Sequence, residues 1–91
     1  MARIVKSGLI QVGLPLHEGE GTVKEITDAM LEKHLPLIDK AGEQGVQILC
    51  LQEIFNTPYF CPAQDAKWYR TAERIPDGPT VKLMQEYAKK H

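Results

Sequence analysis

Apolar residues occur along the chain in two short runs separated by a longer amphipathic stretch. Residues 3–12 (RIVKSGLIQV) combine β-branched side chains with a central Leu-Ile pair, a composition that predicts a first strand. Residues 46–52 (VQILCLQ) are almost continuously apolar, which is typical of a strand covered on both faces of a parallel sheet. Residues 13–21 are rich in glycine and proline and predict a loop between the first strand and the amphipathic stretch.

The amphipathic stretch begins at Thr22 and predicts a helix of about 20 residues. Thr22 and Glu25 have the spacing of a capping box, in which each side chain accepts a hydrogen bond from the backbone amide of the other residue. Pro36 lies inside the stretch and is expected to kink the helix or split it near residues 33–35, because proline has no backbone donor. The predicted apolar face of this helix comprises Val23, Ile26, Met30, Leu37, Ile38 and Ala41.

Two glycines, Gly42 and Gly45, are expected to end the helix just before the second apolar run. A strand, a helix and a second strand in this order make a βαβ unit, in which the strands are parallel and the crossover is right-handed. The sequence therefore predicts the α/β fold class.

The last third of the chain predicts one loop, one turn and two helices. A loop over residues 54–62 is followed by a short helix over residues 63–70. Residues 75–80 (IPDGPT) predict a turn, in which Pro79 suits the first position of a helix. Residues 81–91 form the last predicted helix. Its inward face is expected to comprise Leu83, Met84, Tyr87 and Ala88.

Composition excludes several classes of function. The chain has 91 residues, enough for one small domain or for part of a larger one, and a net charge of −1 that gives no electrostatic case for binding nucleic acid or an anionic membrane. No apolar run approaches the roughly 20 residues that span a bilayer. Two cysteines do not make a disulfide framework, so a reduced, cytoplasmic location is expected.

A carboxylate, Glu53, follows the second predicted strand directly, flanked by Leu51, Ile54 and Phe55. Ligand sites of open α/β sheets gather beyond the carboxyl ends of the strands, so Glu53 is a candidate for chemistry. The aromatic loop after it is a candidate wall of a pocket. The structural alternative is that Glu53 caps a neighbouring helix or pairs with a lysine at the rim of the sheet.

Three segments of the chain, GVQILCLQEIFNTPYFCPAQ, IQVG and DGPTVKLMQEYAKKH, together resemble the start of a nitrilase-superfamily carbon–nitrogen hydrolase. The resemblance is to the β-ureidopropionase and N-carbamoyl-amine amidohydrolase branch, and it covers residues 1–91 but only the first part of such an enzyme. It implies the N-terminal βαβ portion, plus a further helix, of an αββα four-layer sandwich. It also implies hydrolysis of a non-peptide C–N bond in an N-carbamoyl amine or amino acid, such as N-carbamoyl-β-alanine.

The resemblance further implies that Glu53 is the general base of a Glu-Lys-Cys triad. The lysine and the cysteine of the triad belong to later motifs that these 91 residues do not contain, so this segment alone is expected to be inactive. No metal or other cofactor is implied. The expected partners are a small-molecule carbamoyl or amide substrate and, for the complete chain, further copies in a homo-oligomer. The alternative is a non-catalytic α/β interaction module derived from such an enzyme.

The loop after Glu53 supplies further candidates. Tyr59 and Phe60 are expected to line the substrate pocket, with anchoring of the loop against the sheet as the alternative. Cys50 is predicted to be a small buried core residue. Cys61 is a candidate reactive thiol, but the family pattern places the nucleophile downstream. The cysteines and histidines lack the spacing of a zinc site, and His34, on the helical stripe, is predicted to pack in the core.

Overall fold

The computed structural model describes residues 3–17, 19–62 and 64–91. The predicted loop 13–21 and the predicted short helix 63–70 each include one residue, Glu18 and Ala63 respectively, that lies outside the described residues. The chain mixes helix and strand, which confirms the α/β prediction. The elements in order are β1 (Ser7–Ile10), α1 (Val23–Glu43), β2 (Ile48–Leu51), a 3₁₀ helix (Ala66–Thr71) and α2 (Pro79–Lys90).

The two strands form a parallel pair joined by α1, so the predicted βαβ unit is confirmed. Ser7 lies opposite Ile48 and Ile10 lies opposite Leu51. Both strands are shorter than the segments predicted for them. Each strand has a single neighbour in the described sheet, so residues outside the paired stretch have no neighbouring strand to hydrogen-bond with.

Helix α1 begins with the predicted capping box. The Glu25 amide donates to Thr22 Oγ1 at 3.1 Å, and the Thr22 amide donates to Glu25 Oε1 at 3.2 Å. The helix runs unbroken through Pro36, so of the two predicted effects, a kink or a split, the split is wrong. Buried side chains lie on both sides of Pro36, and their packing outweighs the one backbone hydrogen bond that proline removes.

Removing the cap hydroxyl is expected to destabilise α1 measurably. We expect Thr22→Ala to lower the free energy of unfolding by about 1 kcal/mol, because the Glu25 amide loses its acceptor. Chemical denaturation measures this change. Thr22→Ser retains the hydroxyl and is expected to keep almost all of the stability, and equal losses in the two variants would contradict the capping role.

One face of α1 forms most of the core. Its buried residues recur at intervals of four, which places them on a single stripe along the helix. Leu37, predicted on this stripe, is 37% exposed because it lies one residue away from that repeat. His34 is fully buried, which confirms its predicted packing role. The buried core residues are Ile10, Ile26, Met30, His34, Ile38 and Trp68.

The other face of the sheet is open. Leu9 is 83% exposed and Ile48 is 61% exposed, although both are large and apolar. Cys50 is also exposed, so the prediction that it is buried in the core is wrong. The prediction assumed helices on both faces of the sheet, whereas the described residues cover one face only.

Helix α2 begins at Pro79, in the helical position predicted for it, and it lies loosely against the rest of the chain. None of its residues is buried. Ala88, predicted to point inward, is exposed, although it lines a groove that α2 forms with α1 and β2. Three of the four predicted inward residues are half-buried: Leu83, Met84 and Tyr87.

The end of α2 is fixed to α1 through Asp39. Its carboxylate accepts from His91 Nε2 at 2.7 Å and from Lys90 Nζ at 3.0 Å. The hydrogen bonds from His91 and then Lys90 hold the pKa of Asp39 below its ordinary value.

Gly42, predicted to end α1, lies inside it, and a Cβ at this position would stand 2.1 Å from His91 Nδ1. A larger residue at this position would therefore require the terminal His91 side chain to move. No helix among the described residues is long and apolar enough to cross a membrane.

Candidate active site

Glu53 lies at the carboxyl end of β2, where the sequence places it, and its side chain is exposed. The preceding residue, Gln52, fixes this end of the strand: its Oε1 accepts from the Val12 amide at 2.7 Å. The bond ties the segment after β2 to the segment after β1. This role of Gln52 was not predicted from the sequence, although an amide side chain at the end of a predicted strand could have indicated it.

A tight turn over residues 53–56 follows β2 and directs the chain away from the sheet. Ile54 has a φ of +51°, in the left-handed region that β-branched residues rarely adopt. The Thr57 amide donates to the Ile54 carbonyl at 3.4 Å and closes the turn. Such a backbone costs about 1–3 kcal/mol and persists only where surrounding contacts hold it.

Contacts beyond the turn supply that restraint. Thr57 and Pro58 are buried. The Phe55 ring meets the His34 ring edge-on, with centroids 5.3 Å apart. His34 is in turn fixed, because its Nδ1 donates to the Met30 carbonyl at 2.7 Å. The turn that carries Glu53 is therefore held between the sheet and the buried face of α1.

Tyr59 is electrostatically coupled to Glu53. Electrostatic repulsion from Cys61 and then from Glu53 raises the pKa of the Tyr59 phenol, with a further contribution from its hydrogen bond with Cys61. A phenol is protonated at neutral pH even at its ordinary pKa, so Tyr59 has a hydrogen to donate. Tyr59 is 61% exposed and Cys61 is exposed, so a phenol, a thiol and a carboxylate share one region of surface.

Phe60, which stands between Tyr59 and Cys61 in the chain, stacks on Trp68. Their rings are 14° from parallel, with centroids 5.9 Å apart, and Trp68 is buried. Phe60 thus anchors the loop, against the 3₁₀ helix rather than against the sheet. An anchored aromatic ring offers a rigid apolar surface to whatever lies beside it.

The two best-formed grooves of the described chain are not lined by the predicted site residues. A groove of about 780 Å³ lies between the start of α1, the 3₁₀ helix and the start of α2. Asn56 lines this groove, but Glu53, Tyr59 and Phe60 do not. Glu53 is exposed and does not line this groove, so the groove is not the pocket predicted for it. Within residues 3–17, 19–62 and 64–91, no three histidine, cysteine or acidic side chains group as a metal site.

Comparison with known proteins identifies the family. The model of the carbon-nitrogen hydrolase family matches residues 10–91. A β-ureidopropionase of Arabidopsis thaliana is 38% identical over 89 residues, which make up 98% of this chain and 21% of that protein. An N-carbamoylputrescine amidase of Solanum lycopersicum is 38% identical over 53 residues, 58% of this chain and 18% of that protein.

The matched segments make up most of this chain but only a small part of each relative. The chain spans about a fifth of the length of the curated relatives it matches. No solved structure matched it significantly. Because the family model extends over nearly the whole chain, from the last residue of β1 to the C-terminal residue, the protein belongs to the carbon-nitrogen hydrolase family.

Proposed function

We propose that residues 1–91 are the N-terminal part of a carbon–nitrogen hydrolase domain and that Glu53 is the general base of its catalytic triad. The observation that carries the proposal is the position of this carboxylate, at the carboxyl end of β2 and inside the segment that the family model matches. A strand end is a rigid support, and general-base catalysis needs a carboxylate held within hydrogen-bond reach of the proton it takes.

The chemistry requires a strong nucleophile because amide and ureido carbons are weak electrophiles. In the proposed reaction Glu53 takes the proton of a cysteine thiol, and the thiolate attacks the carbonyl carbon of the substrate. The C–N bond breaks, and the amine leaves with that proton. Glu53 then takes a proton from water, which attacks the acyl-enzyme and frees the thiol. A carbamoyl substrate yields ammonia, carbon dioxide and the free amine.

The remaining triad members are a lysine and the cysteine nucleophile, supplied by later motifs of the domain. A fixed ammonium beside the substrate oxygen lowers the barrier, because the tetrahedral intermediate carries negative charge there. Cys61 is exposed and near Tyr59, but its place in the loop after Glu53 differs from the downstream place of the family nucleophile. We therefore assign it no catalytic step.

Tyr59 and Phe60 are proposed to line the substrate pocket beside Glu53. The electrostatic influence of Glu53 on the Tyr59 phenol supports this for Tyr59, since it indicates a hydrogen-bond donor in the same region of surface as the proposed base. The stacking of Phe60 on the buried Trp68 supports a fixed apolar wall.

The proposed substrates are N-carbamoyl amines or amino acids. The names of the relatives, β-ureidopropionase and N-carbamoylputrescine amidase, support this class. We expect the complete enzyme to release ammonia from N-carbamoyl-β-alanine or a related carbamoylated amine. An assay panel of carbamoyl compounds, linear amides and simple nitriles measures this directly. Turnover of nitriles with none of the carbamoyl compounds or amides would overturn the assignment.

We further propose that the complete protein is a cytoplasmic homo-oligomer. Cys50 and Cys61 are both free and exposed, as expected for a chain kept in a reducing compartment. The proposal of a homo-oligomer rests on the family resemblance. Light scattering coupled to size-exclusion chromatography of the complete protein tests it, and a strictly monomeric enzyme would contradict it.

A further inference from the structure

Three polar side chains connect the turn that carries Glu53 to the start of α2. Asn56 Nδ2 donates to Thr80 Oγ1 at 3.5 Å. Thr80 Oγ1 donates in turn to Glu73 Oε2, and the other carboxylate oxygen, Glu73 Oε1, accepts from the Thr80 amide at 2.6 Å. All three contacts are partly buried. The turn and the helix are therefore joined by a continuous hydrogen-bonded chain.

Glu73 replaces the usual cap of α2. The N-cap residue, Gly78, has no side chain to accept from the first free amides of the helix, and the Glu73 carboxylate accepts from one of them instead. A Cβ on Gly78 would lie 2.6 Å from the Arg74 carbonyl oxygen and 2.8 Å from Glu73 Cβ. Glycine is therefore required for the segment from 73 to 80 to close on itself and present Thr80 in a fixed orientation.

This arrangement gives the DGPT motif a physical role. Gly78 permits the close approach, Pro79 starts the helix, and Thr80 faces both the carboxylate of Glu73 and the amide of Asn56. None of these residues is part of the proposed triad. Their combined effect is to hold one end of the turn whose other end is Glu53.

We propose that Thr80, oriented by Glu73, is a positioning residue that fixes Glu53 through Asn56; the inference rests on the proposed role of Glu53 as general base. Asn56 lies three residues after Glu53 in the same turn, and the intervening Ile54 is in the unfavourable left-handed conformation. The hydrogen bond to Thr80 adds to the ring contact of Phe55 in holding this strained turn. Without it, fewer contacts oppose relaxation at Ile54, and that relaxation moves the adjacent carboxylate. Small displacements of a catalytic group have large kinetic effects.

The test uses the complete enzyme and a carbamoyl substrate that it turns over. Thr80→Val removes the hydroxyl at similar size, and we expect kcat to fall by about 10–100-fold while KM changes little. Thr80→Ser keeps the hydroxyl and is expected to restore most of kcat. Thr27→Val is the matched control, because the Thr27 hydroxyl donates to the Lys24 carbonyl of its own helix. We expect this control to leave kcat unchanged.

A second variant covers the case in which Thr80→Val fails to fold. Asn56→Ala breaks the same chain at its other end and leaves the contacts of Glu73 with the start of α2 intact. We expect the same selective loss of kcat from this variant. If Thr80→Val and Asn56→Ala both keep full turnover while Glu53→Gln is inactive, this inference is overturned and the proposed function of Glu53 stands.

A mutant cycle separates positioning from general stabilisation. If Thr80 acts through Glu53, the Thr80→Val change costs nothing further once Glu53→Gln is present, so the two losses are not additive. If Thr80 only stabilises the fold, Thr80→Val would lower kcat by the same factor whether residue 53 is glutamate or glutamine. That result would overturn the inference. Wild-type turnover in Glu53→Gln by itself would overturn the proposed function, and this inference with it.

Discussion

Replacing Glu53 by glutamine in the complete enzyme is expected to lower kcat on carbamoyl substrates by about 10²–10⁴-fold, the usual contribution of a positioned acid–base group. Glutamine keeps the shape and polarity of the side chain but does not accept a proton at neutral pH. The thiol then has no base at the end of β2 to remove its proton, and the later attack of water loses the same assistance. Ammonia release under saturating substrate measures the change.

Two controls make the result specific. Glu53 is exposed, so its substitution should leave the thermal midpoint nearly unchanged, and a large loss of stability would point to a structural role instead. Glu86→Gln removes an exposed carboxylate from α2 and is expected to leave kcat unaltered. Near-wild-type turnover in Glu53→Gln would falsify the assignment of this residue as the base.

The features that could be predicted from the sequence depend on neighbours along the chain. The capping box of Thr22 and Glu25 joins residues three positions apart, and Pro79 takes a helical position that suits its fixed φ. The alternation of strand, helix and strand likewise follows from local composition. The position of Glu53 at the end of β2 needs only the end of an apolar run, which is why it could be predicted.

The features that could not be predicted depend on contacts between distant segments. Pro36 stays inside a continuous helix because the stripe on either side of it is buried, and that burial is a property of the packed structure. Cys50 is exposed because no described element covers the second face of the sheet. The hydrogen bond from Asn56 to Thr80 joins residues 24 positions apart, and no local pattern indicates it.

The described structure has more surface than a self-contained domain of its mass. A folded monomer of 10.2 kDa exposes about 5,300 Å², whereas this chain exposes 6,855 Å². Its radius of gyration is 14.9 Å, against about 12 Å for a compact domain of this length. Large apolar side chains contribute to this surface: Leu9, Ile48 and Ile75 are each more than half exposed. The open face of the β1–β2 pair accounts for two of these three side chains.

Residues 1–91 expressed alone are therefore expected to be partly unfolded or to aggregate. Among the residues that the structure describes, both sheet edges lack a partner and one apolar face is uncovered, a combination that favours association between chains. In the proposed αββα sandwich, further strands and helices cover these surfaces. The isolated segment is also expected to hydrolyse no carbamoyl compound, because the proposed lysine and cysteine of the triad are supplied by later motifs.

A thermal melt and a size-exclusion run on the isolated segment, with the complete enzyme beside it as the control, test this expectation. We expect the segment to give a broad transition and to elute in the excluded volume or as a mixture, while the complete enzyme melts cooperatively. Leu9→Lys on the open face should improve the recovery of soluble segment, because it places a charge where chains associate. A sharp cooperative melt from a monodisperse monomer would instead show a self-sufficient domain. That result would favour the alternative in which the segment serves as a non-catalytic interaction module.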